Sequence, residues 1–246
     1  MPIQITETMR ARAAVEAERR EPFIEHHFEV DHMDGNERNI VGFLGEFACC
    51  EYLGINWQTN IRDNYLTIDN GDIHIGNLVI DVKTETIPGN YCDRVVDRTI
   101  DDDGTYGRRL ITEEQVPLLE HYDYVIFGAF KRDDLSTWYP IGCIRTKKVL
   151  DEYEIATDSP NGIHYPIPGL PVRTSELHDI SLISELINNQ VDTLWGYSSR
   201  GYCFYHTDRQ CRSIAGVVDS ELELFHLRRE AREEGYSECQ FCRREN

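Results

Sequence analysis

Lysine is scarce in this chain: Lys83, Lys131, Lys147 and Lys148 stand against twenty-one arginines. Basic residues of both kinds number 25 against 44 acidic ones, a net charge of −19 over 246 residues. Such a deficit excludes a uniformly basic surface and leaves any contact with a polyanion to local groups. An acid-rich, lysine-poor surface fits a high-salt, halophilic cytoplasm, where charges are screened over a few ångströms. The competing explanation is an acidic protein that binds a cationic partner or mimics nucleic acid. No apolar stretch is long enough to span a membrane. Residues 1–27 form a charged, helix-like segment without the hydrophobic run of a secretory signal, so a cytoplasmic location is expected. The eight cysteines lack the even spacing of a disulfide framework. Cys49, Cys50 and Cys143 fall in apolar segments, where burial as small apolar residues is the default.

What is present is concentrated in GDIHIGNLVIDVKTE, residues 71–85. Strand side chains alternate between faces, so Leu78, Ile80 and Val82 share one face and Val79, Asp81, Lys83 and Glu85 the other. Gly76-Asn77 is a hairpin signal that would return Asp72 to the neighbourhood of Asp81. Two carboxylates and an ammonium on one sheet surface suit a Mg²⁺ site that handles phosphate. The plainer alternative is a solvated strand face with cross-strand ion pairs. His74 shares the face of Asp72, as a neighbour of the site or as an ordinary surface histidine.

Upstream, residues 36–54 read NERNIVGFLGEFACCEYLG. Ile40, Phe43, Leu44 and Phe47 recur at helical spacing, and Gly54 is a natural stop. Glu46 flanks the apolar stripe. Gly42 and Gly45 each cost a helix roughly 1 kcal/mol relative to Ala, so a packing reason is expected: the close approach of a sheet or a phosphate backbone.

The ordered set GFLGEFACCEYLG, GDIHIGNLVIDVKTE and YDYVIFGAF, spanning about residues 36–145, resembles the PD-(D/E)XK, or restriction-endonuclease-like, nuclease superfamily. Gly71 stands where the superfamily often has proline. The resemblance implies an α/β fold, a mixed central sheet flanked by helices, and Mg²⁺-dependent hydrolysis of nucleic-acid phosphodiesters, with Mn²⁺ as a substitute metal. It carries over Glu46, Asp72, Asp81 and Lys83 as the catalytic set. The residues alone fit that chemistry. Asp72 and Asp81 would ligate the metal, with the Val82 carbonyl as a third donor; Glu46 would bind directly, through water or at a second metal. Lys83 would orient or deprotonate the attacking water and offset phosphate charge.

Farther along, Glu113–Leu119 reads as a short helix, Tyr122–Phe130 as a buried strand and Ser136–Arg145 as the next strand. Gln115 either approaches the site or is a surface residue. Residues 89–109 are polar and too long for an ordinary connector, which predicts a solvated or substrate-contacting loop with Arg94, Arg98, Arg108 and Arg109 available to phosphates. Residues 158–171, rich in Pro and Gly, predict a surface connection, 179–188 a helix, and 196–201 a linker.

The C-terminal segment carries a second signal. His206 and Cys211 lie close in sequence, and Cys239 and Cys242 form a CxxC, with a helical stretch between the pairs. One imidazole and three thiolates suit tetrahedral structural Zn²⁺. Cys203 competes with His206 as a ligand. A module of about fifty residues buries little core, and a metal compensates. The segment is similar to the Ada-type metal-binding domain, whose pattern carries over as His206, Cys211, Cys239 and Cys242. Arg228-Arg229 and Arg243-Arg244 are its basic pairs, and Lys147-Lys148 is another, outside it.

The expectation is a nuclease-like domain over 1–195 and a zinc module over 196–246. The expected function is a Mg²⁺-dependent DNA endonuclease whose zinc module aids binding. Nucleic acid, DNA foremost, is the expected partner, with no membrane and room for a homodimer. The alternatives are a non-catalytic zinc-dependent DNA-binding or assembly protein on a nuclease-like fold, and an acidic interaction module of a phage-like assembly.

Overall fold

The computed structural model describes residues 1–23, 33–62, 65, 71–75, 78–188, 194–199, 201–225 and 228–242, with the side chains of residues 188 and 229 excepted. The Gly76-Asn77 turn and the Arg243-Arg244 pair lie outside the described residues. The chain divides into two compact units, Met1–Ile180 and Ser181–Asn246. The division falls ahead of the helix that the sequence assigned to the first unit. No helix among the described residues is long and apolar enough to cross a membrane.

The first unit runs β1 (Ile3–Gln4), α1 (Glu7–Arg20), α2 (Gly35–Tyr52), β2 (Ile73–Ile75), β3 (Leu78–Ile87), α3 (Gly89–Val96), β4 (Arg108–Thr112), β5 (Tyr124–Lys131), β6 (Asp134–Arg145), α4 (Thr146–Glu152), β7 (Ala156–Asp158) and β8 (His164–Arg173). Local chemistry sets the helix ends. Thr6 Oγ1 accepts the Met9 amide at the start of α1. Asp34 and Glu37 form a reciprocal capping box on α2, at 2.8 and 2.9 Å. Gly54, at φ 74°, takes the left-handed conformation that ends this helix.

The main sheet has the order β1-β6-β5-β3-β2. It is mixed: β3 and β5 are parallel, and the other pairs are antiparallel. Helix α2 lies on one face. Its Gly45 meets Thr84 so closely that an added Cβ would stand 1.9 Å from Thr84 Oγ1. Thr84 alternates with Ile80 and Val82, so this is the apolar face expected from the sequence. Phe43, Leu44 and Phe47 are buried in the same helix, worth roughly 1.5–3 kcal/mol each. The opposite face, with Val125, Phe127, Ala129 and Ile144, is covered by Cys92 and Val95 of α3, Leu119, and Leu170 and Val172 of β8.

Two expectations are corrected by the structure. Residues 89–109 are not one loop: α3 occupies the start and β4 the end. Tyr91, Cys92, Val95 and Val96 give a helical apolar face that the surrounding charges conceal. Residues 158–171 are not a surface connection but the turn and strand of a second sheet, β4-β8-β7. Pro166 and Pro168 fall outside the β4 ladder, which pairs with β8 only over Gly169–Arg173, whereas Pro171 lies within it opposite Leu110. The short helix expected over Glu113–Leu119 is present as the 3-10 helix Glu113–His121, with Pro117 inside it.

The second unit comprises α5 (Ser181–Asn188), β9 (Leu194–Ser199), β10 (Tyr202–His206), β11 (Glu223–Phe225), α6 (Arg228–Glu233) and β12 (Ser237–Glu238). Its sheet has the order β11-β9-β10-β12. The expected linker at 196–201 is largely strand, because Leu194 packs into one small core while Trp195 and Tyr197 pack beside the cysteines. Gly196 is required there: a Cβ would lie 2.5 Å from the Phe225 ring.

Candidate functional site

Strand β3 presents Asp81 and Lys83 together. Lys83 Nζ lies 2.8 Å from Asp81 Oδ1 and 2.7 Å from Oδ2. Asp81 is buried, at 2% exposure. The alternation predicted from sequence therefore holds, and the acid-lysine face is not freely solvated at Asp81. Asp72 immediately precedes β2. Its amide donates to the Ile80 carbonyl at 2.9 Å, and its carboxylate accepts from the Val82 amide at 2.7 Å. These two contacts bracket Asp81 along β3. The other Asp72 oxygen accepts Arg62 Nη2 at 3.0 Å, and Asn60 Nδ2 donates to the Asp72 carbonyl at 2.6 Å.

Glu46 is also buried, at 7% exposure. Its helix covers the Ile80–Val82–Thr84 face, whereas Asp81 and Lys83 belong to the opposite face. Glu46 and Asp72 nevertheless share a neighbour in Cys50. Burial, then the charges of Glu46 and Asp72, push that thiol up to about 12. Among the described residues Glu46, Asp72 and Asp81 do not form a group close enough to share a metal ion. Asp72 is thus held to β3 on either side of Asp81, and its charge and that of Glu46 both act on Cys50.

His74 pairs with Val79 and is exposed. Gln115 lines a cleft of about 900 Å³ together with Thr84, Glu85, Thr86, Tyr106 and Arg108. Along β3 the cleft begins at Thr84, just past the Asp81–Lys83 pair. Of the arginines expected to serve phosphates, Arg98, Arg108 and Arg109 are engaged within the protein, while Arg94 is exposed on α3. Arg109 is fully buried and paired with Glu85. Arg98 donates to the Leu177 and Ile141 carbonyls. Arg108 pairs with Asp103 at 2.6 Å. Sequence reasoning missed Arg62, which reaches Asp72 only through folding.

In the second unit His206, Cys211, Cys239 and Cys242 converge, all buried, with their ligand atoms within 4.8 Å of one another. Cys211 Sγ and Cys239 Sγ are 3.9 Å apart, and Cys242 Sγ lies 3.8 Å from His206 Nδ1. Sulfurs about 2.3 Å from a tetrahedral Zn²⁺ would be about 3.8 Å apart, whereas a disulfide requires about 2.05 Å. The group can hold a metal such as zinc. It contains His206 and not Cys203, whose thiol faces Ser198 Oγ at 3.3 Å.

The strands make this convergence. His206 ends β10, and β12 runs parallel to it, so the Cys239 amide bonds to the Tyr205 carbonyl at 3.0 Å. Burial lowers the pKa of His206, which favours the neutral imidazole that ligates metal. Burial raises Cys211 to about 11. Burial also opposes ionisation of Cys239, but the Cys242 and Phe241 amides and the Ser213 hydroxyl outweigh it and lower that thiol. Ser213 was missed in the sequence; a hydroxyl two residues after Cys211 was its only signal.

Comparison with protein-family models, with curated proteins and with solved structures found no match.

Proposed function

We propose that this chain is a metal-dependent nuclease, built on a restriction-endonuclease-like core, that hydrolyses DNA phosphodiester bonds internally. The observation that carries the reading is the Asp81–Lys83 contact on β3, bracketed by the two backbone contacts of Asp72. Asp72 and Asp81 are the proposed Mg²⁺ ligands, a carboxylate pair of the size that Mg²⁺ accepts while keeping several waters. Arg62 and Lys83 supply the positive charge that these neighbouring carboxylates require, which marks the place where a divalent cation would compete. When bound, the metal would neutralise phosphate charge and lower the pKa of a bound water. Lys83 holds its ammonium against Asp81 and would orient that water and the phosphate. Glu46, which forms no three-ligand group with Asp72 and Asp81 among the described residues, would bind through water or at a second metal. The Cys/His group is read as structural Zn²⁺, which holds together a module that would add nucleic-acid contacts.

A second reading has its own support. Both carboxylates are already ion-paired, to Arg62 and Lys83, and Glu46 does not join them. A non-catalytic DNA-binding or assembly protein that relies on its zinc module would show this arrangement. Cleavage assays on duplex DNA, single-stranded DNA and RNA, with and without Mg²⁺ in high KCl, decide between them. The nuclease reading expects Mg²⁺-dependent cleavage that disappears in Asp81→Ala and Lys83→Ala. Full activity in Asp81→Ala would refute the assigned site, and no cleavage of any substrate would leave the binding protein.

A further inference from the structure

The sheet of the second unit uses its two faces differently. On one side of β10, Tyr205 packs with Leu194 and Phe225. Tyr202, Phe204 and His206 alternate with Tyr205 and take the other side. Antiparallel pairing sets Tyr197 of β9 opposite Phe204 on that same side. His206, at the end of the row, belongs to the Cys/His group. A row of aromatic rings thus runs outward along the sheet from the candidate metal centre.

This row forms one wall of a cleft of about 340 Å³ whose inner end reaches His206 and Cys239. Among the described residues, Tyr197, Tyr202, Phe204 and Phe241 give the cleft its rings, and Ser213 and Gln240 bring polar groups to it. The Tyr202 and Phe204 rings are parallel to within 8°, with centroids 6.3 Å apart. Tyr202 is 68% exposed, so its ring contributes little to the core. The Arg212 guanidinium lies 3.5 Å from the centroid of Phe241, which places a positive charge beside the aromatic wall.

We infer that this cleft binds an unpaired base of a single-stranded nucleic acid. The inference rests on the reading, common to both functions proposed above, that the second unit contacts nucleic acid. Flat ring faces reward a flat ligand, and every base has a π-face. The Ser213 hydroxyl and the Gln240 amide offer the donors and acceptors that a base edge needs. Arg212 complements the phosphate attached to such a base, a charge that an apolar ligand would not use. Clefts for small ligands run from about 300 to 1,000 Å³, and this one, at the lower end, matches a single base. In a duplex the ring faces are stacked out of reach, so the strand must be open.

The test uses the full-length protein without added Mg²⁺, in high KCl, where phosphate contacts weaken and stacking is left to carry the binding. Fluorescence anisotropy follows three labelled probes: an oligothymidylate, an abasic strand of the same length, and the oligothymidylate annealed to its complement. The open thymidylate strand should bind saturably, and about tenfold or more tightly than either of the others. Tyr202→Ala should weaken that binding about tenfold, whereas Tyr202→Phe, which keeps the ring, should bind as the parent does. Both variants should keep the parent's melting temperature and metal content, because Tyr202 is exposed and outside the Cys/His group. Equal affinity for the abasic strand or the duplex, unchanged binding in Tyr202→Ala, or no binding of any probe would overturn the inference. The nuclease reading stands or falls separately, on cleavage: that activity depends on Asp81, whereas binding of the open strand should persist in Asp81→Ala.

Discussion

Two glycines three residues apart on α2 should respond in opposite directions to the same substitution. Ala in place of Gly improves a helix interior by roughly 1 kcal/mol. At Gly42 nothing lies within 4 Å of an added Cβ, so Gly42→Ala should gain most of that increment. At Gly45 the new Cβ would stand 1.9 Å from Thr84 Oγ1 and 2.5 Å from Thr84 Cβ. The first distance is about 1.5 Å short of ordinary contact. Rotating Thr84 cannot relieve it, because its Cβ is fixed by the strand. Its hydroxyl also accepts Trp138 Nε1 at 3.3 Å. Either α2 or β3 must shift, at an overpacking cost of up to about 3 kcal/mol. Net of the helix gain, Gly45→Ala should lose about 2 kcal/mol. For a chain of this size that is a melting temperature lower by roughly 4–8 °C, against a rise of about 2–4 °C for Gly42→Ala. Circular dichroism melts measure both. A double-mutant cycle isolates the cause: in a Thr84→Gly background, Gly45→Ala should become neutral or stabilising. Gly45→Ala melting at or above the parent protein would refute the packing of α2 against β3.

Metal analysis should find one zinc per chain, retained in Cys203→Ser and lost in Cys239→Ser and Cys242→Ser; chelation should melt the second unit, since zinc supplies roughly 10 kcal/mol or more to such modules. Native alkylation at pH 8 followed by mass spectrometry should label Cys203 first. Cys50 and Cys92 should resist, because burial first of all raises them to about 12 and about 11. Thermal stability should rise between 0.1 and 3 M KCl, because the screening length falls from about 10 Å at 0.1 M to about 3 Å at 1 M. A steady fall with salt would refute the high-salt reading.

Local periodicity determined a good part of the protein. Alternation along residues 78–87 predicts the strand and the side on which Asp81 and Lys83 stand, because a pleated backbone leaves no other choice. Apolar spacing and Gly54 mark α2. The His206/Cys211 and CxxC pairs name four side chains that meet, since metal ligation constrains spacing over short stretches. Gly45 announced a close contact but not with what, and Gly42, with the same signal, has none.

What only the tertiary structure decided are contacts between residues that no local pattern links. Arg62 reaches Asp72, Glu85 holds Arg109, and Glu16 gathers Arg12, Arg19 and Tyr65. The choice of His206 over Cys203 also belongs here, because their separation on β10 places them differently around the same sheet. So does the position of Glu46, whose flank on the helix was legible but not which face of the sheet the helix would cover. That choice is made by burial of Phe43, Leu44 and Phe47 on the α2 side that meets Thr84 at Gly45, an energy that belongs to the assembled sheet and helix rather than to either segment alone.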